Sequence, residues 1–244
     1  MFDTYFKKIK ELLLTIEVDE KAQVKQAAKK FAESIQQGGI IHVFGCGHSH
    51  ILGEEVFYRA GGLVPVNPIL VEDLMLHHGA VRSSTLERKQ HFAEAFIGDE
   101  DIRETDCLIV VSTSGRNPVP IDVALYGKMK GAYVVGISSL NYVPSQPSRH
   151  ESGKHLCHVV DLAINNHANI GDALIEDDQI GVPFGPSSTI IGAAIINSMI
   201  AEIIHELSKN GVEPPIFKSG NIDGSDEHNQ RLIEKYKERI KRLQ

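Results

Sequence analysis

Cysteine is scarce in this chain of 244 residues: Cys46, Cys107 and Cys157 are too few and too far apart for a disulfide framework or a zinc-ligand spacing. A disulfide-stapled secreted scaffold is excluded, and a reducing, cytoplasmic setting is expected. Positive charge is in deficit as well. Lys and Arg number 25 against 32 Asp and Glu, leaving a net charge of −7 and a pI near 5.9, so no general nucleic-acid surface is expected. The opening Met-Phe-Asp-Thr-Tyr-Phe-Lys-Lys lacks the basic-then-apolar order of a signal peptide. No long apolar run is unbroken: residues 190–207 are interrupted by Asn197, Ser198, Glu202 and His205 and read as a buried core helix, not a membrane span. Solenoid repeats and low-complexity tracts are missing too. An ordinary globular composition remains, long enough to bury a sizeable core.

What is present centres on one stretch, Cys107-Leu-Ile-Val-Val-Ser-Thr-Ser-Gly-Arg-Asn-Pro118. Its apolar start reads as a buried strand, and residues 119–129 read as a helix. The polar turn between them therefore sits at a helix N-terminus, where backbone N–H groups lack partners and the helix dipole is positive. Ser112, Thr113, Ser114 and Asn117 add side-chain donors and Gly115 allows close approach, so the turn is expected to bind phosphate. A capped helix start without a ligand is the plainer alternative.

Around this stretch the chain alternates. Two amphipathic helices, the second opened by Asp19 as N-cap, end at Gly38-Gly39. Residues 40–44 form a strand, followed by the turn Gly45-Cys-Gly-His-Ser-His50 and a helix to about Arg59. A proline-broken extended piece at 63–71 is expected at a sheet edge. Further strands are expected at 132–138 and 158–164, and Gly185-Pro-Ser-Ser-Thr189 opens the long core helix with its own hydroxyl caps. This order implies a helical segment 1–36 packing on the domain or on a dimer partner, an α/β domain at 37–210 and a tail at 211–244 ending in a helix. Alternating strands and helices call for a mainly parallel sheet covered on both faces, with ligands at the strands' carboxyl ends. The turns at 45–50, 112–117 and 185–189 would converge on that rim. The first of them departs from a dinucleotide fingerprint, because His50 replaces the third glycine and Asn67 stands where a ribose-binding acid belongs.

Gly45-x-Gly-x-Ser49, Ser112-Thr-Ser-Gly-Arg-Asn117 and the strand after Gly131 resemble the sugar isomerase (SIS) domain, over roughly residues 37–207. Within it the chain is most similar to a branch related to phosphoheptose isomerase that shares Glu55-Val-Phe-Tyr-Arg-Ala-Gly-Gly62 and Asp226-Glu-His-Asn229. The resemblance implies a flavodoxin-like α/β/α sandwich, a homodimer or homotetramer, and a phosphorylated sugar held by Ser112, Thr113, Ser114, Asn117 and Ser49. Asn117 departs mildly from the usual hydroxyl residue there.

Aldose–ketose isomerisation needs a base between C1 and C2 and a group that opens the ring. His78, in Leu76-His-His-Gly79, resembles the ring-opening His-Gly of related isomerase domains, and imidazole titrates in the useful range. For the base the ranking is Glu55, then Glu87, then Glu54. His50, Ser187, Ser188 and His228 are further substrate-binding candidates; His228, with Asp226, would act from the tail in its own or a partner's site, although Asp226 equally suits a helix cap. No cofactor is expected. Among twelve histidines, neither His48/His50 nor His77/His78 has the spacing of a helical zinc pair, so zinc stays a minor alternative. A sugar-phosphate isomerase is the first reading; a non-catalytic sugar-phosphate sensor and a lyase or etherase are the alternatives.

Overall fold

A computed structural model describes residues 1–244. Five parallel strands, β1 (Ile41–Gly45), β2 (Val66–Ile69), β3 (Cys107–Val111), β4 (Tyr133–Ser138) and β5 (Leu162–Asn165), lie in the order β2-β1-β3-β4-β5. That is the flavodoxin-type doubly wound order. Helices α1 (Phe2–Asp19), α2 (Lys21–Gln36), α3 (Ile51–Val56), α4 (Ala80–Glu87), α5 (Pro118–Met129), α6 (Ser188–Lys209) and α7 (Ser225–Tyr236) complete the chain.

Strand alternation divides the core in two. Ile41, Val43, Ile109, Val111, Val135 and Ile137 face α2, α3 and α6, while Phe44, Leu108, Val110 and Val134 face α5 and the short turns around residues 92–99. Helix α6 is apolar and long enough to cross a bilayer, but Ile191, Ile195, Met199, Ile203 and Leu207 are buried in the first of these cores. The N-terminal helices supply much of the same core through Ile16, Val24, Phe31 and Ile35. Pro68 falls inside β2, which is an edge strand as its missing N–H requires.

Several sequence expectations shift. Asp19 ends α1 and caps nothing; Glu20 separates α1 from α2, and its carboxylate accepts from Asn165 N at 3.1 Å and His167 Nε2 at 2.9 Å. Helix α3 stops at Val56, short of Arg59, because Phe57 turns extended and Tyr58 is left-handed with φ 47°. The strand expected at 158–164 starts only at Leu162; a tight turn at Leu156–His158 precedes it, and Asp161 spends its carboxylate on Val134 N at 2.8 Å. Helix α6 is not capped by its own serines. Asp172, at φ 52° on the preceding loop, accepts from Ser187 N (2.9 Å), Ser187 Oγ (3.0 Å), Ser188 N (2.9 Å) and Ser188 Oγ (2.6 Å).

At the amino end of the sheet lies a buried carboxylate, Asp106, whose residue is 1% exposed. It accepts from Ile40 N at 2.9 Å, Arg103 N at 2.8 Å, His42 Nε2 at 3.3 Å and Arg239 Nη2 at 2.7 Å. Asn67 Nδ2 lies 3.1 Å from His42 Nδ1, which sets the tautomer that lets Nε2–H donate to Asp106. The tail reaches this point by packing Phe217, Tyr236, Ile240 and Leu243 against Ile40 and Val64.

Two stability outcomes follow from these contacts. Asp172→Ala removes the cap of α6 and should cost about 1–2 kcal/mol, read as a lower urea midpoint. Burial pushes the Asp106 carboxyl up, but hydrogen bonds from His42 and from the Ile40 and Arg103 amides outweigh it and hold the group below its ordinary value. Its stabilisation is therefore complete above the unfolded value and is lost as pH falls through about 4 and below. Asp106→Asn should be roughly 3 kcal/mol less stable at neutral pH and flatter across that acid range, measured by urea titration.

Candidate functional site

Strands β1 and β3 are neighbours in register, with Gly45 opposite Val111, so the turns that follow them leave the sheet side by side. At the second turn every carbonyl from Ser112 to Arg116 except that of Ser114 is tied down. Ser112 O accepts from Gly115 N (3.0 Å), Thr113 O from Ser139 N (2.8 Å), Gly115 O from Leu156 N (2.7 Å) and Arg116 O from Arg149 N (2.8 Å). The amides of Thr113, Ser114, Arg116 and Asn117 donate to nothing in the protein, and the hydroxyls of Ser112, Thr113 and Ser114 are also unpartnered. With four of its five carbonyls tied down and its N–H groups free, the turn is a backbone nest at the start of α5, an arrangement that suits an oxyanion. Gly115 is required: its φ is 59°, and a Cβ there would stand 3.2 Å from Ser138 Cβ.

The first turn is a single tight helical turn, Gly47–His50, ahead of α3. Gly45 permits it, because a Cβ would come within 2.6 Å of the Ser49 backbone. Ser49 is half-buried and carries no side-chain hydrogen bond, and His50 Nδ1 is paired with the Gly47 carbonyl. Segment Leu76–His78 covers this turn. His77 stands between His50 and His78, with ring centroids 6.3 Å and 4.7 Å apart, and His78 is exposed with its Nε2 3.9 Å from Glu72.

Helix α4 spans both turns, fixed by Ser83 Oγ donating to Leu74 O at 2.7 Å. Its last residue, Glu87, is half-buried between Cys46 of the first turn and Asn117 of the second. Burial pushes the Glu87 carboxyl above its ordinary value, while the Asn117 amide and the charges of Arg88 and Arg149 pull against that rise. Burial also raises the Cys46 thiol, with Glu87 adding to it, so Cys46 is a neutral wall of the site. A raised, half-buried carboxylate at the edge of an oxyanion seat has the make-up of a general base.

The remaining candidates lie elsewhere or are committed. Glu55 faces α6 away from the turns, its Oε1 accepting from Asn197 Nδ2 at 3.0 Å and its Oε2 from Arg59 Nη1 at 3.0 Å. Glu54 is exposed, 3.8 Å from His50 Nε2. Ser187 and Ser188 open α6, which starts on the same rim as α3, but Asp172 takes both hydroxyls. His228 donates through Nε2 to Ile216 O at 2.8 Å, and Asp226 lies one residue inside α7 after the cap residue Gly224; both belong to the tail, at the opposite end of the sheet. No three His, Cys, Asp or Glu side chains are grouped to hold a metal ion. The sequence reading missed Arg149, whose Nη1 donates to Asn117 Oδ1 at 3.0 Å, and Arg88 beside Glu87. Thirty-two residues separate Arg149 from Asn117, and no spacing rule links them.

A carbon-detected NMR titration should place the Glu87 carboxyl above ordinary glutamate. Asn117→Ala and Arg149→Gln should each move it further up, since each removes an influence that favours the ionised form.

Residues 4–139 match the family model described as SIS domain. A UPF0309 protein of Halalkalibacterium halodurans is 62% identical over 240 residues, covering 98% of this chain and 96% of that protein. Another, from Caldanaerobacter subterraneus, is 43% identical over 246 residues, the full length of both. Among solved structures, a phosphoheptose isomerase from Neisseria gonorrhoeae gives a TM-score of 0.55 at 14% identity, covering 84% of this chain and 97% of that one. The phosphoheptose isomerase of Francisella tularensis gives 0.54 at 15% identity, covering 83% and 95%. At these identities the likeness is one of fold.

Proposed function

Because the chain belongs to the SIS domain family, we propose that it binds a phosphorylated sugar and interconverts its aldose and ketose forms through an enediol. One observation carries this: a half-buried glutamate with a raised carboxyl, Glu87, borders a turn whose amides and hydroxyls are free to hold phosphate. The phosphate would take the N–H groups of Thr113, Ser114, Arg116 and Asn117, the hydroxyls of Ser112, Thr113 and Ser114, and Ser49 from the neighbouring turn. Held there, the far end of the sugar supplies binding energy that positions C1 and C2. His78 or its neighbour His77 moves the proton that opens the ring. Glu87 then takes the C2 proton of the aldose, the electron pair forms the enediol double bond as O1 is protonated, and the protonated Glu87 returns a proton to C1 of the ketose as O2 loses its own. Its raised basicity suits removal of a weakly acidic carbon-bound proton, and Glu55 holds α3 to α6 in this scheme.

Proton NMR in deuterated water with hexose, hexosamine and heptose phosphates tests the reading. One of these sugars should lose its C2 proton signal, and Glu87→Gln should abolish the exchange while leaving affinity within a few-fold. Ser114→Ala should weaken phosphosugar binding by about ten-fold, the worth of one hydrogen bond to a charged oxygen. Binding without exchange would identify a sensor built on the same seat, and normal turnover by Glu87→Gln would displace Glu87 as the base.

A further inference from the structure

Nine arginines occur in the chain. Arg59, Arg82, Arg103, Arg231 and Arg239 pair with carboxylates. Of the four without such a partner, Arg88, Arg116 and Arg149 gather at one place, the flank of the phosphate turn. Arg116 belongs to the turn, with Nε donating to Pro147 O at 2.9 Å and Nη1 to Gln146 Oε1 at 3.0 Å. Arg149 is fixed by its amide on Arg116 O and by Nη1 on Asn117 Oδ1. Arg88 follows α4, exposed and without a protein partner. Gln90, two residues on, ties this helix end to the same loop, donating to Arg149 O at 2.6 Å and accepting from Glu151 N at 3.3 Å.

Arg149 feels its neighbours. Burial and then the charges of Arg116 and Arg88 lower the Arg149 guanidinium, and Glu87 is the one carboxylate opposing them. The other carboxylates nearby are engaged by histidines, Asp122 by His150 Nε2 at 2.9 Å and Glu151 by His91 Nε2 at 3.3 Å, so the three guanidinium groups are left without an ion-pair partner. Arg116 turns its guanidinium toward Gln146 and Pro147, Arg149 belongs to the same 146–154 loop, and Arg88 follows the helix end that Gln90 ties to that loop. Guanidinium forks match carboxylate and phosphate oxygens in pairs.

We propose that Arg88, Arg116 and Arg149 form a second anion-binding subsite, so that the ligand is a sugar phosphate carrying another oxyanion, either a carboxylate or a second phosphate. This rests on the phosphate seat assigned above to the 112–117 turn. The second group anchors the sugar at a point the first phosphate does not reach, and so selects among phosphosugars that the turn alone would accept equally.

Isothermal titration at fixed ionic strength tests it with two matched pairs: fructose 6-phosphate against fructose 1,6-bisphosphate, and glucose 6-phosphate against 6-phosphogluconate. At least one doubly anionic member should bind about ten-fold tighter than its partner, and added salt should erode that advantage. The pair that shows it tells a second phosphate from a carboxylate. The Arg88→Gln/Arg149→Gln variant should lose the advantage, and Arg88→Gln alone, an exposed change without effect on packing, should lose part of it. Equal affinity within both pairs, or an advantage that survives the double substitution, overturns the subsite while the phosphate seat stands. If none of the four compounds binds, the seat itself is wrong and the subsite falls with it.

Discussion

A buried carboxylate underlies the rest of this molecule. Asp106 stands just ahead of β3 and gathers the amide that opens β1, the imidazole on β1, the turn before β3 and a guanidinium from the tail. Through His42 and Asn67 the same network reaches β2 and Glu100. A buried charge with several partners is tolerated only while all of them stay, so the relative positions of these three strands and the tail are set together. Because β1 and β3 are held in register at their amino ends, their carboxyl ends finish level, and that brings the two polar turns together.

Two of the helices that begin on that rim have opposite electrostatic outcomes. The start of α5 is left open: the turn's carbonyls are consumed by Ser139, Leu156 and Arg149, and its amides are not. The start of α6 is closed by Asp172, which takes two amides and two hydroxyls with one carboxylate. The same dipole argument applies to both helices, and the presence of a resident anion decides between them. Local shape alone therefore does not make an oxyanion seat. What surrounds the helix end must also leave it unsatisfied.

This contrast explains how far the sequence could be read. The strands at β1, β3 and β4, the edge placement of β2 and the turn at 112–117 were legible because each is local: a short apolar run, a proline inside it, hydroxyls and a glycine just after it. Ser187 and Ser188 looked like free donors because their neighbour Asp172 lies on a loop fifteen residues earlier, in a stretch without periodicity. Glu55 and Glu87 could not be separated by pattern, since both are glutamates on short helices near a polar turn. Their partners differ, Asn197 and Arg59 for one, Asn117 and Cys46 for the other, and only the folded chain brings these together. Arg88 and Arg149 carried no signal at all, being single basic residues in exposed segments. Long-range pairing of this kind is a product of topology, and short-range spacing does not encode it.

The proline within β2 has a consequence for growth of the sheet. A parallel sheet ends in two strands whose outer backbone groups are unpaired, and each is a template on which another chain could crystallise. At Val66–Ile69 the edge is four residues long and lacks one of its four amides, so a passing strand finds an interrupted ladder; at the far edge β5 offers only four residues. Ordered fibrils seeded by edge-to-edge accretion are thereby discouraged in the native molecule.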